Sequence, residues 1–213
     1  MNFTKMHGAG NDFVVINTGN TKRDWTKLAI TICDRHRGIG ADSLLLLLPS
    51  KKADFTMRTF DADGSEAETC GNGLRCLARY ALEKGVVRPD TKEISIETLT
   101  RIVRVKFEER NGEVIKFWAN MGLPEFGAEN IPVNIKAGKG KVADTQSMIN
   151  YTVTVDKMVL ELNLVSMGNP HAVYFCQDSV AEFPLSRIGS LVENLPIFPT
   201  RINFEIARVL SRQ

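Results

Sequence analysis

Apolar and polar positions alternate through most of this chain, and a clear helical period replaces the alternation in one place. Leu74, Leu77, Ala78, Ala81 and Leu82 recur at i, i+3, i+4, i+7 and i+8, the apolar stripe of an α-helix. Gly85 follows the last of them, where a left-handed cap costs least. Upstream, Phe3 to Met6 and Phe13 to Ile16 predict two strands joined by HGAGND, whose glycines and Asn/Asp permit positive φ. Asp24 predicts the N-cap of a helix carrying Trp25, Leu28, Ala29 and Ile32 and ending near Arg37-Gly38. Leu44 to Leu48, unbroken before Pro49, predicts a strand buried on both faces, with Asp54 to Phe60 as its neighbour. Val103, Val105 and Phe107 lead to Asn111-Gly112 and then Val114 to Trp118, the strongest short hairpin signal in the chain.

The pattern breaks at Met121-Gly122-Leu123-Pro124, which sets the expected domain boundary, 1–120 and 121–213. Beyond it, Tyr151, Val153 and Val155 alternate, Asp156-Lys157 turns, and Val159 to Val165 returns. SMGNPH (166–171) reads as a polar turn before Ala172 to Phe175, and Ser186 as the cap of a short helix with Ile188, Leu191, Val192 and Leu195. FPTRINFE leads into a last strand. This half is nearly all strand, with no long apolar helix to fill it. The expected fold class is α+β.

Composition narrows the function classes. With 213 residues, 43% hydrophobic and 24% charged, the chain has the make-up of a soluble globular protein. A net charge of +2 with no Lys/Arg cluster gives no reason to expect a nucleic-acid partner. The longest apolar run is too short to span a membrane. No charged-then-apolar leader opens the sequence, so a cytoplasmic location is expected. Cys33, Cys70, Cys76 and Cys176 show neither CxxC pairing nor disulfide density, which fits free thiols in a reducing setting.

Cys70 stands apart from the other cysteines. It follows the polar run DADGSE and precedes Gly71-Asn72-Gly73 at the start of the striped helix. The glycines leave the first backbone N–H groups open to an anion, and the same partial charge favours thiolate over thiol. Cys70 is therefore expected to be the most acidic of the four. The bland alternative is a small residue buried at a helix entry. Cys76 reads as core packing, and Cys33 and Cys176 have no motif around them. His7 and His36 look like turn and helix-end residues without metal-ligand spacing. Asn11 is either a turn former or an amide aimed into a cleft, and from its own surroundings the turn reading is the better one.

Four stretches together, KMHGAGNDF (5–13), ADGSEAETCGNGLRC (62–76), GNPHAV (168–173) and FPTRINFE (198–205), resemble the diaminopimelate epimerase family, in order along the whole chain. The resemblance implies two similar lobes, each a curved, mostly antiparallel sheet around a central helix, with the active site in the cleft between them. It implies interconversion of LL- and meso-diaminopimelate without a cofactor, for lysine and peptidoglycan precursor synthesis. A catalytic cysteine would open each central helix, one removing the α-proton while the other supplies one on the opposite face. By position, Cys70 would be one such thiol, with His171 assisting it. The backbone N–H groups of Gly71 and Asn72 would hold the α-carboxylate, and Asn11, Asn169 and Asn203 would grip the substrate. The resemblance also suggests a homodimer.

The sequence departs from the family pattern in several respects, among them Arg101-Ile102 where small residues are frequent. It ends before a second cysteine motif and its helix, so the second lobe is expected to lack its central helix and the chain itself to racemise negligibly. Asp61 stands where asparagine is usual, and Ser43 where glutamine is frequent; both are expected to face the substrate. A carboxylate there would repel a substrate carboxylate and attract an ammonium. The alternatives are a related racemase of proline or histidine type, or a non-catalytic remnant that binds small ligands.

Overall fold

The computed structural model describes residues 1–88, 90–137, 147 and 150–211. Its contacts divide the chain into two compact units, Met1–Met121 and Gly122–Gln213.

The first unit is an eight-stranded sheet ordered β1-β2-β3-β4-β6-β7-β8, with the short β5 paired to β4. Its strands are β1 (Thr4–Gly8), β2 (Asn11–Asn17), β3 (Ser43–Leu48), β4 (Phe55–Asp61), β5 (Glu66–Ala67), β6 (Glu93–Glu97), β7 (Ile102–Arg110) and β8 (Glu113–Ala119). All neighbours run antiparallel except β2–β3 and β4–β6. Two helices pack on it, α1 (Trp25–Cys33) and α2 (Gly71–Glu83). Helix α2 touches β1, β2, β3, β4, β7 and β8, so the sheet curls around it.

The leucine run is explained by this arrangement. Leu45 and Leu47 of β3, with Phe13 and Val15 of β2, pack on Leu74, Leu77 and Ala78 of α2. Leu44 and Leu46, with Val14 and Ile16, pack on Trp25 and Ala29 of α1. Successive strand residues point to opposite faces, and both faces are covered. Leu74, Leu77, Ala78 and Ala81 are fully buried, and each leucine contributes on the order of 1.5–3 kcal/mol of transfer free energy. Gly85 takes φ +64° just past the helix, as its position predicts. Asn111 (φ 54°) and Gly112 (φ 81°) both take left-handed backbone, the geometry of a two-residue hairpin turn.

Several boundaries differ from the sequence reading. The first turn is Ala9-Gly10 alone, so His7 and Asn11 belong to strands. Asp24 does cap α1, accepting from the Lys27 N–H at 2.9 Å, but the helix stops at Cys33. There the Asp34 carboxylate takes up the His36 and Arg37 N–H groups at 2.7 and 2.9 Å and turns the chain away.

The second unit holds a four-stranded sheet ordered β12-β11-β10-β9: β9 (Tyr151–Val155), β10 (Met158–Ser166), β11 (Pro170–Phe175) and β12 (Asn203–Ala207). The β11–β12 pair is parallel and the rest antiparallel. Among the described residues its one α-helix is α3 (Leu185–Glu193), whose Ile188 and Val192 bury against Tyr151, Leu160, Leu162, Ala172 and Phe204. Pro184, not Ser186, occupies the cap position, and no side chain caps the helix; proline needs no N–H partner there. His171, Val173 and Phe175 point away from the Ala172 side, and Phe175 is half exposed. Pro170 and His171 lie in β11, so the polar turn is shorter than SMGNPH.

Candidate active site

Cys70 is the N-cap of α2, in extended backbone (φ −131°, ψ 108°). Its carbonyl accepts the Leu74 N–H at 2.9 Å, and its sulfur accepts the Gly73 N–H at 3.3 Å. A cysteine thus does what Ser or Asp does at most helix starts. A Cβ at position 73 would lie 3.0 Å from the Leu45 side chain, so any larger residue there would press on β3. The same sulfur lies 3.7 Å from Asn11 Oδ1, which also receives Asn72 Nδ2 at 3.4 Å. Arg75, one turn into the helix, donates to Asn72 Oδ1 and to the Gly71 carbonyl.

The thiol is not acidified as its place at a helix start suggests. Burial pushes Cys70 above its ordinary pKa; the Gly73 and Asn72 N–H groups pull the other way, and the nearby Asp61 charge adds to the rise. Desolvation wins because the sulfur is largely enclosed while only a few donors reach it. Cys33 and Cys76 are pushed up to about 11 by burial, with no backbone donor opposing it. Cys76 sits in the α2 core, as its spacing implies.

Behind Asn11 stands a charged cluster. Asn11 Nδ2 donates to Asp42 Oδ2 at 2.9 Å, and the Asp12 N–H donates to the same oxygen at 2.9 Å. Arg35 donates to Asp42 Oδ1 at 2.7 Å and to both oxygens of Asp12 at 3.1 and 2.7 Å. Lys5 approaches Asp12 at 2.8 Å. Arg35 and then Lys5 hold the Asp12 carboxyl well below the usual carboxylate range. Ser43 and Asp61 are register partners on β3 and β4, and Ser43 Oγ donates to Asp61 Oδ1 at 2.8 Å.

In the second unit, His171 and Asn203 are register partners across β11 and β12. Asn203 Nδ2 donates to the Pro170 carbonyl at 3.1 Å. His171 Nδ1 lies 2.7 Å from Glu205 Oε1, and Nε2 lies 3.0 Å from Asn169 Oδ1.

Each unit therefore groups its own candidates: Cys70 with Asn11, Gly71 and Asn72, beside the Ser43–Asp61 pair, and His171 with Asn169 and Asn203. Glu205, Asp42 and Arg35 were not singled out from sequence. Glu205 lies two residues past Asn203 on one strand face, and Asp42 immediately precedes Ser43, so position along the strand was the available signal. Among the described residues no group of three or more His, Cys, Asp or Glu is arranged to hold a metal ion.

Solved structures share this fold. A hydroxyproline epimerase from Agrobacterium vitis, with bound trans-4-hydroxy-L-proline, matches with a TM-score of 0.60 at 17% identity, covering 90% of this chain and 54% of that one. A phenazine biosynthesis protein of the PhzF family from Bacillus anthracis matches with a TM-score of 0.55 at 15% identity, covering 99% and 67%. The family pattern of diaminopimelate epimerase matches residues 3–126. Diaminopimelate epimerases from Halothermothrix orenii and Agathobacter rectalis are 42% and 43% identical over 99% and 100% of this chain. The chain spans 72% and 73% of those relatives' lengths, and about half of the solved epimerase. The chain belongs to the diaminopimelate epimerase family.

Proposed function

We propose that the chain supplies one thiol's half of the cofactor-independent proton transfer that interconverts LL- and meso-diaminopimelate, as a pyridoxal-independent isomerase, with Cys70 as an acid/base thiol. The observation that carries this reading is the seat of Cys70: its sulfur is at the first turn of α2, bonded to the Gly73 N–H and facing the Asn11 amide. An α-proton of an amino acid is very weakly acidic. Its removal needs a base at the carbon and a positive environment for the charge that develops on the carboxylate. The open turn of α2 supplies that environment through the Gly71 and Asn72 N–H groups, and the dipole of a thirteen-residue helix adds to it.

His171, held between Glu205 and Asn169, is proposed to assist the Cys70 thiol. Asn11, Asn169 and Asn203 are proposed to bind the substrate's polar ends, with Ser43 and Asp61 favouring an ammonium over a carboxylate. The substrate is a small amino acid, and the location proposed is cytoplasmic. A homodimer, as in the sequence reading, is proposed without an assigned interface.

Occlusion of the thiol tests the reading. Peptide mass spectrometry would follow alkylation of Cys70 by iodoacetamide with and without ligand. LL- or meso-diaminopimelate at about ninefold its Kd is expected to slow alkylation roughly tenfold, because only the free fraction reacts. Proline and histidine at equal concentration should not protect. Equal protection by proline would sink the assignment of diaminopimelate, and no protection by any of them would sink the site.

A further inference from the structure

We infer that Asp42 is a positioning residue that fixes which end of the Asn11 amide meets Cys70, and so keeps the resting thiol protonated. This builds on the reading of Cys70 as an acid/base group. The argument rests on what faces each atom of Asp42. Its Oδ2 receives Asn11 Nδ2 and the Asp12 N–H, both at 2.9 Å. Its Oδ1 receives Arg35 at 2.7 Å. Every group directed at this carboxylate is a donor, and a carboxylate only accepts. Asn11 is therefore obliged to turn its NH₂ toward Asp42 and its carbonyl oxygen toward the helix start.

That oxygen sits 3.7 Å from the sulfur and 3.4 Å from Asn72 Nδ2. A thiol can donate to it, whereas a thiolate would meet another acceptor. The amide thus favours S–H, and Arg35 and Asp12 keep Asp42 in place to enforce it. The other charges acting on the sulfur are Asp61, from β4, and Arg75, from α2 itself; they act in opposite directions. Burial favours the thiol and the Gly73 and Asn72 N–H groups oppose it, so the amide oxygen adds to the side of burial. The cluster behind the site thus helps to hold the first thiol as a proton donor.

Replacing Asp42 by asparagine gives a directional test. The charged Arg35 holds the remaining oxygen at position 42, which turns the new NH₂ toward Asn11 and leaves the Asp12 N–H without its acceptor. Asn11 then rotates, offers its oxygen to that NH₂, and turns Nδ2 toward the sulfur. A donor there favours the thiolate. Alkylation of Cys70 in the Asp42→Asn chain at neutral pH is expected to be about threefold to tenfold faster, with its pH midpoint lowered. Asn11→Asp puts a negative charge beside the sulfur and is expected to slow alkylation by a similar factor.

An unchanged or slower rate in Asp42→Asn, with an unaltered circular dichroism melt, overturns the inference. A loss of packing alone would change the rate but has no reason to move the midpoint downward in one variant and upward in the other. Should Asp42→Asn fail to fold, Asn11→Asp decides: slower alkylation supports the inference, and an unchanged rate overturns it. No substrate is needed, so failure here is separate from failure of the proposed reaction.

Discussion

In deuterated water, LL-diaminopimelate incubated with the 213-residue chain is expected to gain deuterium at its α-carbon without inverting, and a Cys70→Ala chain is expected to lose that exchange by about 10²–10⁴-fold. The expectation of retention follows from the cysteines. Of the four in the sequence, Cys33 and Cys76 are buried with thiols pushed up to about 11, and Cys176 follows β11 with its sulfur directed at the Asp178 and Ala207 carbonyls. One thiol at a helix start works on one face of a carbon. A proton taken there is returned there, as deuterium after exchange with solvent.

The exchange should also depend on pH in a defined sense. Burial holds Cys70 above its ordinary pKa, so the base form is scarce at neutral pH and exchange should rise as pH is raised through that elevated value. Nuclear magnetic resonance of the α-proton follows exchange, and chiral chromatography follows configuration. Appearance of the meso isomer would contradict the single-thiol account. Exchange that survives in Cys70→Ala would remove Cys70 from the chemistry.

The second large effect is structural and lies at Gly38. This residue closes the loop that returns from α1 to β3. The loop folds back on the helix end through Gly38 N–H to the Asp34 carbonyl at 2.9 Å, and Ile39 and Gly40 N–H to the Ile32 carbonyl at 2.9 and 3.0 Å. A Cβ at position 38 would lie 2.3 Å from the Thr31 carbonyl oxygen, 2.7 Å from that of Ile32 and 2.9 Å from that of Asp34. These are backbone atoms of a packed helix end and cannot swing aside as a flexible side chain would.

Gly38→Ala is therefore expected to destabilise the first unit by about 3 kcal/mol or more. Its melting temperature should fall by roughly 10 °C in a calorimetric scan. The loop carries Arg35 and Asp42, so the strain should reach Asn11 as well. A melting temperature unchanged within about 2 °C would mean that the loop relaxes freely, contrary to its hydrogen bonding.

Much of the fold was legible because periodicity and local chemistry agreed. The α2 stripe, its glycine stop and the Asn111-Gly112 turn each depend on a few neighbouring residues, and they came out as read. The leucine run told of burial on both faces but not of what covered each. That depends on α1 and α2 meeting β3 from opposite sides, a long-range fact.

The misses share a cause. Asn11, Pro170 and His171 looked like turn residues from composition, yet each is drawn into a strand by pairing with a partner the local sequence does not name. Ser186 looked like a cap until Pro184 proved able to start the helix. The acidity expected of Cys70 followed the helix dipole, which is local. The burial that outweighs it is made by the whole sheet. Asp42 and Glu205 went unnoticed because a carboxylate's role depends on the amide or imidazole it faces, and those lie 31 and 34 residues away in sequence.

The five consecutive leucines of β3 have one more consequence. A repeat of identical side chains fits its neighbours equally well after sliding by two places, so nothing within the repeat itself selects an alignment. Only the polar residues that precede it can: Asp42 tied to Asp12, and Ser43 tied to Asp61. The polar groups beside the thiol thus also index the strand, like the notches that stop a smooth rod from slipping in its sleeve. Chemistry and alignment would fail together.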